Sequence, residues 1–468
     1  MVVLRKRSKV WGMAAVMMTL STMGFMQPSS TAAPKVLKIV YFFQTGSTSN
    51  PTGDWLQKVA TQFQRQHPGV KVQLQEIIAS EADYYTKLDL LQSSNSTSPD
   101  VVMEDTFLIG SDSSGGYLRN LTPDVRQWPE WKKFYAPMKQ ITTYNGKVWG
   151  VPYRTGDGFL WYNKNLFKKV GLPTNWHPKT WAQVLQAAAL IKKKDPQVIP
   201  FNMYSGIPLG EASSLWGFQM LLAGTGNNLY NYQTNQWIGK SPGFLQSLNF
   251  IQKVFKSGLG PPLSDALTAS WQTVVDTKEL PAGQVAIDLD LNALPGDWAP
   301  GTSSTWSQWS KVMGYTAMPT ENGQAPGYDT VSGGWALSIS RRAQYPTLAW
   351  DFIKLATNSG NMAYADSTTT GLTTNSLVSP TSAYEKSPEV TFANKLLKET
   401  AFRPAFPDYP RVSYAIQTAM EEVMTGQESP QEAMNKYDQT VTGIVGKKNV
   451  EVLTTAETKA ELHPSVSK

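Results

Sequence analysis

The sequence predicts an α/β protein built as two lobes. Three observations carry that reading. Strand and helix patterns alternate in β-α-β-α-β order over residues 36–103, which argues for a parallel sheet covered by helices. The alternation resumes beyond a hairpin and a long apolar stretch at residues 144–167. At 468 residues the chain also exceeds what one hydrophobic core ordinarily holds.

Residues 1–32 read as a secretory signal peptide. Arg5, Lys6, Arg7 and Lys9 precede an apolar run over residues 10–26, and Ser30 and Ala32 fit the small-residue cleavage rule. A retained membrane anchor is the alternative, at the short edge of a span. Removing those four basic residues lowers the formal charge from +6 to +2. The later clusters at 192–194 and 447–448 read as solvated helix ends, so no nucleic-acid partner is expected. Cysteine is absent, which excludes disulfides, thiolate chemistry and cysteine metal sites.

Residues 36–43 form the first predicted strand. A helix comes next, with Trp55, Val59 and Phe63 at four-residue spacing, closed by His67-Pro68-Gly69. Residues 70–78 alternate as a strand, 84–91 read as a helix and 99–103 as a buried strand. Ligands in such sheets bind beyond the carboxyl ends of strands, where Gln44, Glu104 and Asp105 sit. Asn145-Gly146 is a strong hairpin signal, because both residues tolerate the positive φ of a tight turn.

Past the hairpin, Thr180 and Gln183 have capping-box spacing for a helix through Ile191. A short strand is predicted at 198–203, helices near 214–222 and at 242–256, and a strand at 284–291. Ser241 and Pro242 mark the start of the 242–256 helix. Residues 311–318 read as a return crossing, 333–340 as a strand, and Trp350, Ile353 and Leu355 as part of a helix. Ser387-Pro388 and Ser429-Pro430 mark helix starts, and Gly426 and Gly446 mark stops. The Trp-, Ser- and Gly-rich segment 297–310 falls where a cleft rim is expected. These elements divide the chain into a first lobe of residues 34–151 with 320–365 and a second of 152–319 with 366–446. Residues 447–468 lose periodicity and are expected to be weakly ordered.

Catalytic and cofactor motifs are sparse. His67, His177 and His463 are scattered, and His67 and His177 precede proline in turns, which supports neither a metal site nor a Ser-His-Asp arrangement. Gly224-Thr-Gly226 lacks a third glycine and a preceding strand, and no phosphate-cradling loop is present. No cofactor and no metal are expected. Asp288 and Asp290 lie two apart and share one strand face, so a glycoside-active enzyme using them is the alternative reading. Same-strand carboxylates fit poorly with the flanking geometry that glycosidases need.

Several segments resemble the extracellular solute-binding proteins of ABC sugar importers, in the carbohydrate-binding branch similar to maltose- and trehalose-binding proteins. They are Phe63-Gln-Arg-Gln-His-Pro-Gly-Val-Lys-Val72, Pro99-Asp-Val-Val-Met-Glu-Asp105, the stretch from Tyr144 through Tyr153 with Tyr162-Asn-Lys-Asn-Leu166, Gly333-Gly-Trp335, and Met424-Thr-Gly-Gln-Glu-Ser-Pro-Gln-Glu-Ala433. The resemblance implies a two-lobe periplasmic-binding-protein fold of type II, with central mixed sheets and hinge crossovers. It implies a monomer that captures a sugar, a di- or oligosaccharide, and delivers it to the permease subunits of an ABC importer. It also implies export to a periplasm or the outer face of the cell membrane. The lipid-anchoring cysteine that many such proteins carry is missing here.

A sugar site needs aromatic plates for the C–H face of a pyranose and polar side chains for its hydroxyls. Trp335 is the first expected plate, preceded by Gly333 and Gly334, which would let backbone approach a ligand. Trp298 is the second, with Trp216 and Phe159 weaker, since plain core packing explains them as well. Gln44, Glu104, Asp105, Asp157 and Asp290 are the expected hydroxyl partners, and Arg403 and Tyr409 resemble the segment contributing ligand contacts from the second lobe. A binding protein for peptide, polyamine or metal would need fewer such plates.

Overall fold

The computed structural model describes residues 34–457, apart from 48, 370, 377 and 379–386. The expected signal peptide lies outside these. Lys35–Gln44 (β1) carries fully buried Leu37, Ile39 and Val40, as a strand covered on both faces must. Val70–Ala79 (β2) runs parallel to it from Lys35 opposite Val70 to Gln44 opposite Ala79, and Val101–Asp105 (β3) lies parallel on its other side. The helix Pro51–Gln66 joins β1 to β2. Asn50 caps it by accepting the Gly53 N–H, Pro51 occupies its first turn, and Trp55, Val59 and Phe63 form its buried face. Thr143–Tyr144 (β4) and Lys147–Val148 (β5) make the expected hairpin, with Asn145 at φ 50° and Gly146 at φ 68°.

Gly150–Asn163 (β6) organises the rest of the sheet. The later strands are Tyr230–Asn231 (β7), Gln236–Lys240 (β8), Ile287–Leu291 (β9), Met313–Thr316 (β10), Thr330–Ile339 (β11), Thr400–Phe402 (β12) and Val450–Val452 (β13). The first half of β6 runs antiparallel to β11, with Ser332 opposite Asp157. Its second half pairs antiparallel with β9 and β10. The eight-stranded mixed sheet therefore reads β10-β6-β11-β3-β1-β2, with β12 beside β11 and β9 beside β6.

Core packing divides along the same strand. Val151 and Tyr153 belong to the cluster around Trp55, Phe63 and Phe352. Phe159 and Trp161 belong to another around Tyr204, Trp271 and Trp298, and Leu160 and Tyr162 to a third around Phe218 and Phe244. A single strand thus passes from one core to the others, and its midpoint, residues 154–157, lies between them.

Four expectations change. Residues 198–203 make only single bridges, Ile199 to Val285 and Asn202 to Asp288, because Pro200 has no N–H for a ladder. The helix near 214–222 is a π-helix over Ala212–Gln219 that continues as an α-helix over Met220–Gly224. Gln183 reaches past Thr180 and accepts the Lys179 N–H at 2.6 Å, so the cap is one-sided. Finally, residues 447–457 are ordered. β13 pairs in parallel with β8, on the side away from β7, and the Glu457 N–H donates to the Gly226 carbonyl. Among the described residues, no helix is long and apolar enough to cross a membrane.

Candidate functional site

A cavity of about 300 Å³ opens at the carboxyl ends of β1 and β3, beside the midpoint of β6. Gln44 and Asp105 reach it from those strand ends, Arg154 from β6 and Trp335 from β11. The π-helix contributes Trp216, and Arg403 closes the floor just beyond β12.

Trp335 is half-buried and stacks on Phe42, with ring centroids 5.7 Å apart and planes 12° apart. Tyr84 and Tyr85 lie edgewise or tilted behind it at 6.1 and 6.4 Å. The rings are thereby held as a rigid aromatic wall on one side of the cavity. The two glycines before Trp335 line the cavity, and protein groups also press on both. A Cβ on Gly333 would stand 2.8 Å from an Arg403 guanidinium nitrogen, and one on Gly334 would stand 3.0 Å from Ile141.

Arg403 is the hub of a buried ion cluster. Its Nη2 donates to Asp105 Oδ1 at 2.6 Å and its Nη1 to Glu211 Oε2 at 3.0 Å. Tyr85 donates to the other Asp105 oxygen at 2.9 Å, and Tyr409 and Ser413 donate to Glu211. Burial alone would lower the guanidinium pKa, but the two carboxylates hold it above its ordinary value. Burial raises the Asp105 pKa, and Arg403 opposes the rise. Tyr409 is fully buried outside the cavity, where it also accepts from Gln219 Nε2 at 2.9 Å. Its place is behind Arg403, as a support.

The other expected residues do not line the cavity. Glu104 is fully buried beside Asp112, and burial followed by that neighbouring charge raises its pKa well above the carboxylate range. Burial likewise raises Asp157, which is sealed inside. Phe159 packs on Trp161 and Phe392. Trp298, 1% exposed, is locked in a tryptophan cluster with Trp161, Trp306 and Trp309, and its indole N–H donates to the Asp276 carbonyl at 2.7 Å. Segment 297–310 folds this ring inward, so the plate expected from it is core.

Asp290 and Asp288 do share a strand face, but that face is closed by Tyr204 and Asn202. Tyr204 donates to Asp290 and Asp276, and Asn202 donates to Asp288 at 2.7 Å. Carboxylate oxygens of Asp276, Asp288 and Asp290 come within 4.8 Å of one another. Burial first, and then mutual repulsion, raises Asp276 and Asp288 well above their ordinary values. Neither β9 carboxylate reaches the cavity, which removes the physical basis for hydrolysis by that pair.

Sequence reasoning missed Phe42, Glu81, Arg154, Glu211, Asp276 and Asp297, all of which line the cavity. Phe42 had a signal, standing two positions before Gln44 on the same strand face. Glu211 had none, because its role depends on Arg403 nearly two hundred residues later. Asp297 lies next to the tryptophan that was expected instead.

Comparison with known proteins fits this geometry. The family described as bacterial extracellular solute-binding protein matches residues 46–363. The maltodextrin-binding protein MdxE of Bacillus subtilis is 23% identical over 418 residues, covering 87% of this chain and 89% of that protein. An uncharacterized ABC transporter extracellular-binding protein of Pyrococcus horikoshii is 28% identical over 172 residues, 35% of this chain and 39% of the relative. The match to that relative therefore spans well under half its length. Among solved structures, maltose-bound MalE3 of T. maritima superposes with a TM-score of 0.74 at 19% identity, covering 88% of this chain and all of that one. At that identity the likeness establishes the two-lobe periplasmic-binding-protein fold.

Proposed function

The chain belongs to the bacterial extracellular solute-binding protein family, and on that premise we propose that its cleft captures a carbohydrate for an ABC importer. The observation that carries this reading is Trp335, an aromatic plate presented to a cavity at strand ends, beside the midpoint of the strand that links the cores. A pyranose lays its C–H face on such a ring. Its hydroxyls need partners, since each unpaired buried polar group costs about 1–3 kcal/mol. Gln44, Asp297 and Arg154 line the same cavity and can supply them.

The relatives support a di- or oligosaccharide, one being named for maltodextrin and one structure holding maltose. Lobe 1 is taken as 34–151 with 320–365, and lobe 2 as 152–319 with 366–446. Sugar gripped by Trp335 on one side and Trp216 on the other favours the closed form, because only that form makes both contacts. The closed monomer, exported to a periplasm or the outer face of the cell membrane, then docks on permease subunits in the membrane. No bond is made or broken.

Calorimetric titration against mono- and oligosaccharides tests this, paired with small-angle scattering. Binding heat together with a decrease in radius of gyration is expected. No heat and unchanged scattering with every sugar would overturn the proposal.

A further inference from the structure

The charged groups around the cavity are unevenly divided. Five carboxylates, those of Glu81, Asp105, Glu211, Asp276 and Asp297, face two guanidiniums, those of Arg154 and Arg403. Arg403 is fully engaged with Asp105 and Glu211. Asp276 shares its proton with Asp290. Glu81 shares the field of Arg403 with Asp105 and Glu211, and Arg154 is the cation that opposes Asp297. Neither acid forms an ion pair among the described residues.

The position of Glu81 matters as much as its charge. It opens the helix Glu81–Gln92, and Tyr85, one turn later on the same helix face, packs 6.4 Å from the Trp335 ring. Glu81 therefore lines the same cavity as the wall formed by Phe42 and Trp335, joined to it through Tyr85. A carboxylate beside stacked aromatic rings is the arrangement that attracts a cation through both its charge and the ring faces. A neutral sugar can donate hydroxyl hydrogen bonds to these carboxylates but leaves their surplus charge unbalanced, and an anionic one is repelled.

We infer that the cleft prefers a carbohydrate bearing a protonated amine, with its ring on Trp335 and its ammonium against Glu81. This rests on the carbohydrate reading above and narrows it. The proton balance agrees. Burial, then the Asp105 charge, raises the Glu81 pKa to about 7, with Arg403 and Tyr85 opposing the rise and Glu211 adding to it. An ammonium ligand supplies the missing counter-charge and draws that proton off.

The test is calorimetry of the full chain with pairs matched in linkage: glucosamine with glucose, chitosan disaccharide with cellobiose, and 2-amino-2-deoxymaltose with maltose. In every pair that binds, the amine should bind about tenfold tighter at pH 7. That ratio should grow from pH 5.5 to 7 as Glu81 ionises, while an amine resembling an α-amino group, which titrates at about 7.7–8.0, stays protonated. Glu81→Gln should erase most of the preference, and Asp297→Asn part of it. Equal or tighter binding of the hydroxyl partners overturns the preference and leaves the carbohydrate reading standing. Preference undiminished in both variants overturns the assignment to Glu81. Absence of binding in all pairs overturns both readings.

Discussion

Asp105, at the end of β3, accepts a 2.6 Å hydrogen bond from Arg403, which lies 298 positions later in the chain. Arg403 then reaches Glu211 at the edge of the π-helix. One guanidinium thus ties a strand end, a helix start and the segment after β12 into the floor of the cavity.

Removing that guanidinium strands two buried carboxylates. Arg403→Met is expected to lower stability by about 3–5 kcal/mol, read as a fall in the urea midpoint. Arg403→Lys should recover only part of this, because an ammonium cannot fork to both partners. A variant as stable as the parent would show that the cluster holds nothing together.

The two tryptophans should separate cleanly. Trp298→Ala is expected to cost about 3–5 kcal/mol of stability, since it empties a packed core. Trp335→Ala should cost less stability but weaken sugar binding, by about 0.5–1.5 kcal/mol beyond the loss of buried area. Urea unfolding and calorimetry measure the two effects. The opposite ordering would relocate the plate.

Gly333→Ala places a Cβ 2.8 Å from Arg403 Nη2. Displacing that nitrogen should cost about 1–3 kcal/mol. A double-mutant cycle with Arg403→Met is expected to be non-additive, because both changes act on the same contact. Additive losses would mean the glycine is required for another reason.

Stability should fall as the solution becomes more alkaline. Burial raises Asp290 and Asp297 to about 6, Glu81 to about 7 and Asp366 to about 8. In the unfolded chain these groups titrate near about 4. Between those limits the folded protein holds more protons than the unfolded one, so rising pH favours unfolding. Their stabilisation is complete below about pH 4 and disappears as pH passes the folded values. The urea midpoint should be higher at pH 5 than at pH 8, and Asp366→Asn should flatten the difference. A midpoint that climbs over this range would contradict the assignment.

The sequence by itself determined the elements that depend on neighbours along the chain. Alternation placed β2, a buried apolar run placed β3 and four-residue spacing placed the first helix, and Asn145-Gly146 specified its turn through backbone sterics alone. Trp335 was singled out by the glycines before it and Arg403 by a family resemblance, and both line the cavity. Tertiary structure decided which polar groups face the cavity. Asp288 and Asp290 share a face under any strand geometry, yet only the packing of Tyr204 and Asn202 turns that face inward. Trp298 and Asp297 are adjacent, and the fold buries the ring while leaving the carboxylate at the cavity. Side-chain direction inside an irregular loop is set by contacts with distant residues, and no local pattern encodes them.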